Sequence, residues 1–155
     1  MPKSRVLIEH LDGEAKSKHF VDQYCPQVFT RHRKYNNWFY MANDRVKLII
    51  DDVGNFDFKN GEVHLARIEV KPEARGHGFA SIAMRALTDG ADLYGLTLTL
   101  SPHSYCDERQ GLAQRNLEAF YRRHGFRARR GYVETNEIYY KRIWSMVRQP
   151  VIKGV

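Results

Sequence analysis

The stretch VKPEARGHGFASIAMRAL, residues 70–87, constrains the fold more than any other part of this sequence. Its apolar lead-in is typical of a β-strand, and Pro72 ends the strand because proline cannot donate to a sheet ladder. A turn that contains Arg75, Gly76 and Gly78 follows at once. Apolar residues then recur at helical spacing, namely Phe79, Ile82, Ala83, Ala86 and Leu87. The sequence therefore predicts a strand, a glycine-rich turn and a helix in direct succession.

A glycine-rich turn between a strand and a helix is a candidate anion site. The first N–H groups of a helix lack acceptors within the helix, and the helix dipole places partial positive charge there. Gly76 and Gly78 have no Cβ, so a phosphate can approach the backbone, and Arg75 adds a full positive charge. An isolated pair of glycines is more often a tight connection without a ligand, so this feature alone decides nothing.

Two well-known nucleotide-binding loops do not fit this turn. A P-loop requires Gly-Lys followed by Ser or Thr, and the sequence contains no such run. A dinucleotide-binding fold requires a third glycine, where this chain has Ser81, and more strands than 155 residues comfortably supply. A phosphate held at this turn would therefore belong to another class of ligand.

The turn also forms the pattern R-x-x-G-x-A, with Arg75, Gly78 and Ala80, and it is preceded by V-x-P at residues 70–72. One strand later, a helical pattern ends in FYRRHGF, residues 120–126. Together these motifs resemble the acetyl-CoA-binding motif and the later tyrosine and Gly-Phe motif of the GNAT acetyltransferase superfamily. They occur in the family's order and at a similar separation, so the resemblance covers roughly the whole chain.

The resemblance implies that acetyl-CoA is bound here as a cosubstrate, without a metal ion. In the family, the turn holds the pyrophosphate of coenzyme A, and the preceding strand offers main-chain groups to the pantetheine arm. The implied binding residues are Ile68, Val70, Arg75, Gly76, His77, Gly78, Phe79, Ala80 and Ser81. Many members also carry an asparagine seven residues before the tyrosine. Here that position is Gln114, while Asn116 lies five before; we predict a contact from Asn116 and leave Gln114 as its alternative.

Tyr121 is the catalytic acid that the resemblance implies. It lies four residues before Gly125, where the family carries the tyrosine that faces the thioester sulfur. Such a phenol would return a proton to the departing thiolate of coenzyme A. The alternative is that Tyr121 fills the core beside Phe120.

His64 is the predicted general base. It lies on the strand before the turn, where some family members carry a glutamate or histidine, and a half-buried structural histidine is an equal alternative. Strand alternation places His64 on one face with Ala66 and Ile68, and Glu69 on the other face. His103 is a weaker rival for the same role. Members without a dedicated base relay the proton through water.

Periodicity and turn signals predict the order of elements. The predicted strands cover residues 5–11, 37–42, 46–51, 62–71, 95–100, 126–130 and 137–144. The predicted helices cover residues 14–33, interrupted near Pro26, then 78–93, weakened by Gly90, and 112–124, ended by Gly125. Residues 102–111 are expected to form a polar loop. This order predicts an α/β protein with the GNAT fold, a mixed central sheet of about seven strands with helices on both faces, in a single domain over residues 1–155.

Charge and aromatic content narrow the classes of partner. The net charge of +7 favours anionic partners. Part of that charge lies in a run that also contains aromatic residues; its members are Arg31, Arg33, Lys34, Tyr35, Trp38, Phe39 and Tyr40. Basic grooves with aromatic platforms bind nucleic acid. A second strand whose aromatics fill the core is the simpler explanation, so nucleic acid is an open partner here.

Other classes find little support in the sequence. No apolar run approaches the ~20 residues of a membrane helix, and the N-terminus shows no secretory pattern. Cys25 and Cys106 have no metal-ligand spacing, and Cys106 lacks a clear base partner. We therefore expect reduced thiols, a cytoplasmic location, no membrane partner and a monomer or homodimer.

Three functions fit these observations. The first is an N-acetyltransferase that acts on a protein lysine, a protein N-terminus or a small amine through a ternary complex. The second is an acetyltransferase of aminoacyl-tRNA, which the positive charge motivates. The third is a non-catalytic regulator that binds coenzyme A or nucleic acid. We predict the first of the three.

Overall fold

A computed structural model describes residues 8, 10–50, 61–100, 110–128 and 146–151 of the chain, with the side chains of 110–115 left aside. Seven strands form one sheet in the order β1-β2-β3-β4-β5-β7-β6. They are β1 (Thr30–Arg31), β2 (Trp38–Met41), β3 (Val46–Ile50), β4 (Glu62–Val70), β5 (Thr97–Leu100), β6 (Arg127–Ala128) and β7 (Met146–Arg148). Among these strands only β4 and β5 pair in parallel. The predicted α/β class with a mixed sheet of about seven strands is confirmed.

The described helices are α1 (Gly13–His19), α2 (Cys25–Val28), α3 (Phe79–Tyr94) and α4 (Gln110–Arg123), with a π-helical turn over Phe20–Tyr24. Asp12 begins α1 by accepting the N–H of Ala15 at 2.8 Å, a standard N-cap. The predicted interruption near Pro26 is the π turn, in which Cys25 donates to the carbonyl of Phe20. Pro26 has no N–H to offer the preceding turn, and a wider turn tolerates that gap.

The core lies between the sheet and helices α1 to α3. Alternate residues of β3 are buried, namely Val46, Leu48 and Ile50. Helix α3 contacts β3, β4 and β5, and it also contacts α2 and the π turn. Its buried stripe comprises Ala83, Met84, Leu87 and Ala91. Ala83 and Leu87 of the predicted stripe belong to this face, whereas Ile82 is 54% exposed and lies outside it. The helical spacing therefore predicted the helix and part of its apolar face.

Gly90 does not weaken α3 but allows a close contact with the N-terminal helices. The ring of Tyr24 lies against the backbone at Gly90, and a Cβ at this position would overlap that ring. The hydroxyl of Tyr24 donates to the carbonyl of Ala86 at 2.6 Å. Glycine is therefore needed here for packing, and α3 continues through it to Tyr94.

The hairpin, the fourth strand and the helix after the glycine turn agree with the predicted ranges. The turn at Asn43 and Asp44 has positive φ at three successive residues, Ala42, Asn43 and Asp44. Gly125, with φ +93°, ends α4 as its sequence position predicted. Helix α4 begins at Gln110, however, so the predicted loop over 102–111 is shorter at its C-terminal end.

Two predicted elements differ from the structure. Residues 5–11 were expected to form a strand, but Ile8 is helical and His10 lies in a turn. The N-terminal helical region ends at Val28 rather than at residue 33, because Phe29 turns to an extended conformation and packs on Phe39 at 6.2 Å. The predicted strand over 137–144 lies outside the described residues, and β7 follows it.

The most consequential feature of the sheet is the short pairing between β4 and β5. The two strands pair only over Glu62, Val63 and His64. Ile49 pairs with Arg67 and Ile50 with Leu65, so β4 carries one extra residue, a β-bulge, at Ala66. Beyond the paired segment, no described strand covers this edge of β4. Among the described residues, this edge of β4 is therefore unpaired from the end of the ladder to the glycine-rich turn.

A buried ion pair ties the last strand to the helices. Arg148 of β7 binds both carboxylate oxygens of Asp92 in α3, at 2.7 and 3.0 Å. Its Nε donates to the carbonyl of His124 at the end of α4, at 3.0 Å. A bidentate pair with a further carbonyl acceptor is geometrically specific. Arg148 thereby fixes the end of α4 relative to α3.

Candidate active site

The junction between β4 and α3 has the geometry of an exposed backbone loop. A single 3-10 turn, Pro72–Ala74, follows β4, and α3 begins at Phe79. Gly76 and Gly78 have φ values of +83° and +79°, a region that L side chains rarely adopt. A Cβ built at either glycine meets no atom within 4 Å, so the space beside this backbone is open.

The main-chain amides of this junction have no acceptors within the described part of the chain. The first hydrogen bond of α3 runs from Ile82 to the carbonyl of Gly78, at 3.1 Å. None of the described groups accepts from the N–H groups of residues 76–81. These six amides therefore lie at the N-terminus of a 16-residue helix or just before it, where the helix dipole is positive. The arrangement fits a diphosphate, the group that the sequence motif predicts at this position.

Two arginine side chains border the same junction. The Nε of Arg75 donates to the carbonyl of Val70 at 3.1 Å, which holds this exposed side chain over the end of β4. The guanidinium of Arg45 lies 5.7 Å from the ring of Phe79, and the ring of His77 lies 6.2 Å from it. The two arginines therefore add positive charge near the amides.

Sequence reasoning missed Arg45 as a site residue. It lies in the β2–β3 turn, far from the motif along the chain, and only strand register brings it close. Lys71 donates to the carbonyl of Arg45 at 2.9 Å, and Val46 pairs with Val70. Asn43 and Asp44 predict a hairpin, and antiparallel pairing of its second strand with β4 would have brought Arg45 close to the motif.

The open edge of β4 presents the main-chain groups of Ile68 and Val70. Successive residues of a strand direct their N–H and C=O groups to opposite edges. The N–H of Lys71 points towards β3, since it donates to the carbonyl of Arg45. The main-chain groups of Val70 and Ile68 therefore point away from β3, towards the edge of β4 that no described strand covers. Their positions suit the main-chain contacts to an extended pantetheine arm that the resemblance implies.

His64 forms the last described pair between β4 and β5. It pairs with Thr99 of β5, and its Nδ1 lies 3.1 Å from Thr99 Oγ1. The residue is only 5% exposed. Burial lowers the pKa of His64 to about 4, and a hydrogen bond with the backbone of Thr99 opposes this shift in part. The imidazole is therefore uncharged at neutral pH.

The β-bulge corrects one expectation for His64. Paired residues on neighbouring strands share a face of the sheet. Leu65 pairs with Ile50 and Ile68 with Leu48, so both lie on the buried face of β3. His64 precedes Leu65 and faces the other side. The prediction that His64 and Ile68 share a face is therefore wrong, because the extra residue shifts the alternation by one.

The same shift changes the position of Glu69. It pairs with Lys47, and Arg67 pairs with Ile49, so both residues of β4 turn to the side of the sheet that His64 faces. Glu69 is a surface residue, as predicted, and it forms an ion pair with Arg67 at 3.1 Å. The carboxylate therefore lies on the face of the candidate base rather than opposite to it.

Tyr121 lies near the end of α4 and is 5% exposed. Its ring packs against Phe120 at 5.4 Å and Phe126 at 5.7 Å. Its carbonyl accepts from His124 and Phe126, which closes the helix at the Gly-Phe motif. The phenol is therefore held by the core and by the C-terminal turn of the helix, an arrangement that fixes the direction of its side chain.

Asn116 and Tyr121 lie on different sides of α4. At about 100° per residue, five positions separate them by about 140° around the helix. Asn116 is exposed, whereas Tyr121 is buried. The contact between Asn116 and the cofactor stays a prediction, and the side chain of Gln114, its alternative, lies outside the described set. His103 and Cys106 also lie outside the described residues.

Other classes of site find no counterpart among the described residues. No group of three or more His, Cys, Asp and Glu side chains there could hold a metal ion. None of the described helices combines the length and the apolar character needed to cross a bilayer. Burial raises the pKa of the Cys25 thiol, which makes this cysteine a poor nucleophile.

Comparison with known families agrees with this geometry. The model of the Acetyltransferase (GNAT) family matches residues 39–126, more than half of the chain. The matched segment runs from β2 to the end of α4 and includes every candidate site residue named above. The chain therefore belongs to the GNAT family of acetyltransferases, which are acyltransferases that use acetyl-CoA.

Several solved acetyltransferase structures are similar to this chain. The N-acetyltransferase YlbP of Bacillus subtilis, in complex with coenzyme A, is 15% identical over 73% of this chain and 66% of its own, with a TM-score of 0.42. Ard1 of Thermoplasma volcanium is 16% identical over 88% and 93%, with a TM-score of 0.47. Nourseothricin acetyltransferase is 21% identical over 72% and 62%, with a TM-score of 0.41. A search of curated proteins finds no match.

Replacing Gly78 by alanine tests the exposed amides, with Gly95→Ala as the matched control. Both glycines have positive φ and open space at a built Cβ, but they lie at opposite ends of α3. Each variant should lose about 1–2 kcal/mol of unfolding free energy. Only Gly78→Ala should weaken acetyl-CoA binding, by at least about tenfold, because amide bonds to a charged group contribute about 1.5–3 kcal/mol each. Calorimetric titration measures this, and equal affinities in both variants would contradict the assignment.

The pKa of His64 predicts how stability depends on pH. The folded pKa of about 4 lies below the unfolded value of about 6.5, so the unfolded chain binds the extra proton and stability falls as pH decreases through this window. Between about pH 7.5 and pH 5, His64 should cost roughly 2 kcal/mol. Urea denaturation of the wild type and His64→Gln should show this difference in their pH dependence. Identical pH profiles would show that His64 is not buried as described.

Proposed function

We propose that this protein is an N-acetyltransferase that transfers the acetyl group of acetyl-CoA to a primary amine within a ternary complex. The acceptor is a protein lysine, a protein N-terminus or a small amine. The observation that carries the proposal is the run of six main-chain amides at residues 76–81 without acceptors in the described part of the chain, next to an uncovered edge of β4.

Each part of the chain has a defined task in binding the donor. When bound, acetyl-CoA supplies an acetyl group that is already activated as a thioester. The amides at residues 76–81 hold the diphosphate, with Arg75 and Arg45 adding charge nearby. The main chain of Ile68 and Val70 aligns the pantetheine arm along β4. An arm that extends along β4 to the last described pair with β5 brings the acetyl group close to His64.

The amine must lose its proton before it can attack. An alkylammonium has a pKa of about 10.4, so deprotonation at pH 7 costs roughly 4.6 kcal/mol. We assign proton acceptance to His64, which burial keeps uncharged at this pH. Its pKa of about 4 makes it a weak acceptor, so it holds the proton only briefly and passes it to water. Tyr121 returns a proton to the sulfur as coenzyme A departs.

Acetylation of a cell lysate tests the activity directly. The purified protein is incubated with lysate and acetyl-CoA labelled in its acetyl group, and labelled species are identified by mass spectrometry. Labelled amines should accumulate only when the active protein is present. If acetyl-CoA binds but no labelled amine forms, the protein is a coenzyme A-binding regulator. The cytoplasmic location and the monomeric or homodimeric state stay predictions.

Replacing Tyr121 by phenylalanine should lower kcat by about 10²–10⁴-fold, because the variant lacks the proton donor for the departing thiolate. Acetyl-CoA affinity should not change, since the ring and its packing remain. Tyr94→Phe is the matched control, because Tyr94 is similarly buried, at 4%, and its hydroxyl contacts His19 at 2.6 Å. Steady-state kinetics of both variants with the acceptor found in the lysate measure the effect. Equal kcat values for both variants would show that Tyr121 only fills the core.

A further inference from the structure

Four aromatic side chains form a cluster on the outer side of β2, away from the glycine-rich turn. We call this cluster the aromatic platform; it consists of His32, Tyr35, Trp38 and Tyr40. The centroids of Tyr35 and Trp38 lie 4.6 Å apart. His32 lies 5.2, 5.5 and 5.8 Å from Tyr35, Trp38 and Tyr40, respectively. The rings therefore form one continuous surface rather than scattered exposed residues.

The aromatic platform is not part of the core. Phe39 is fully buried and packs on Phe29, as expected for a strand with an apolar inner face. Trp38 and Tyr40 flank Phe39 in β2 and therefore face the opposite side of the sheet. Tyr35 is 41% exposed. The expectation that these aromatics fill the core holds for Phe39 alone.

Hydrogen bonds within residues 31–38 hold the loop between β1 and β2, which carries His32 and Tyr35. Nδ1 of His32 accepts the N–H groups of Lys34 and Tyr35, at 3.0 and 3.1 Å. The N–H of His32 donates to the carbonyl of Trp38 at 2.8 Å. Nε of Arg31 donates to the carbonyl of Asn36 at 2.6 Å. The rings are therefore positioned before any ligand arrives, which reduces the entropy cost of binding.

Lysine side chains lie over the platform without carboxylate partners among the described residues. Nζ of Lys47 lies 3.9 Å from the ring centroid of Trp38, and Nζ of Lys34 lies 5.5 Å from that of Tyr35. Glu69, which lies opposite Lys47 in register, is paired with Arg67, and Asp22 is paired with Arg31. The platform therefore combines flat apolar rings with positive charge that the described acids do not neutralise.

We propose that the aromatic platform binds single-stranded nucleic acid. Unpaired bases stack on Tyr35 and Trp38, while Lys34 and Lys47 move from the rings to the phosphates of the same strand. Stacking with a basic surround is the chemistry by which proteins bind single strands with little sequence preference. A duplex keeps its bases stacked internally and offers only phosphates. An acidic peptide offers charge without rings that stack equally well.

The location of the platform relates it to the proposed active site. β2, β3 and β4 are adjacent, and Trp38, Ile49 and Arg67 are aligned across them on one face. Two strand spacings of about 4.8 Å place Trp38 roughly 10 Å from Arg67 along this face. His64 faces the same side of β4. A strand bound at the platform therefore lies on the side of the sheet that the candidate base faces, and binding does not require the acetyltransferase proposal to hold.

Fluorescence anisotropy with labelled homopolymers tests this proposal. The probes are oligouridylate and oligodeoxythymidylate of about 12 nucleotides, a length within the range of single-strand sites. A duplex of the same length and a polyglutamate peptide of similar charge serve as comparison ligands. Both single strands should bind more tightly than the duplex and the peptide. Preference for the RNA strand would indicate readout of the 2′-hydroxyl, and equal affinity would indicate stacking and phosphate contacts alone; both results support the proposal.

Two variants separate stacking from charge. Tyr35→Ala should weaken single-strand binding by at least about 5-fold, the lower limit for loss of one stacked base. Lys34→Ala should reduce the slope of log K against log salt by about 0.7, measured between about 50 and 200 mM salt. Lys18→Ala, which removes an equally exposed lysine from α1, should leave that slope nearly unchanged. Acetyl-CoA affinity should be equal in all three variants, which shows that each remains folded.

Several results would overturn the proposal. These are no binding of either strand at the lower salt concentration, equal affinity for polyglutamate, or unchanged affinity of Tyr35→Ala for the strands. The last result would show that net positive charge alone attracts the nucleic acid. Loss of acetyl-CoA binding with intact strand binding would instead contradict the proposed function and leave the platform supported.

Discussion

β4 pairs with β5 over only three residues, and the rest of the site depends on the edge of β4 beyond this short pairing. A parallel ladder that continued along β4 would have paired the main-chain groups of Ile68 and Val70 with neighbouring strand atoms. None of the described strands takes that place, so this edge suits an extended ligand, with the Val70 carbonyl also accepting from Arg75. β4 then leads into a turn whose six amides have no described acceptor. The edge and the turn together suit a long, phosphate-bearing molecule.

The bulge at Ala66 contributes to the same result from the other edge of β4. It keeps Ile68 and Val70 on the face that packs on α3 while His64 turns to the opposite side. Because of this one extra residue, the side chain of His64, to which we assign proton transfer, lies on the face opposite to the side chains of Ile68 and Val70. Arg148 then fixes the end of α4, and with it Tyr121, through Asp92 and the carbonyl of His124.

The sequence predicts the parts of the fold that depend on local physics. The apolar stripe of α3, the positive-φ turns at Gly76, Gly78 and Gly125, and the β2–β3 hairpin all follow from residue type and spacing. Features that depend on long-range register do not, because a single extra residue at Ala66 reverses every later side chain of β4. For the same reason Arg45 was missed, and the aromatics of β2 could not be divided between core and surface before their strand neighbours were known.

An amide NMR titration with coenzyme A would identify the groups that hold its phosphates. With the protein labelled with ¹⁵N, each main-chain N–H is observed separately, so the donors to the bound phosphates are seen directly. We expect the largest shifts at residues 76–81, followed by Ile68 and Val70, while Gly95 at the far end of α3 stays unchanged. Shifts concentrated elsewhere in the sheet, with the amides at 76–81 unaffected, would contradict this expectation.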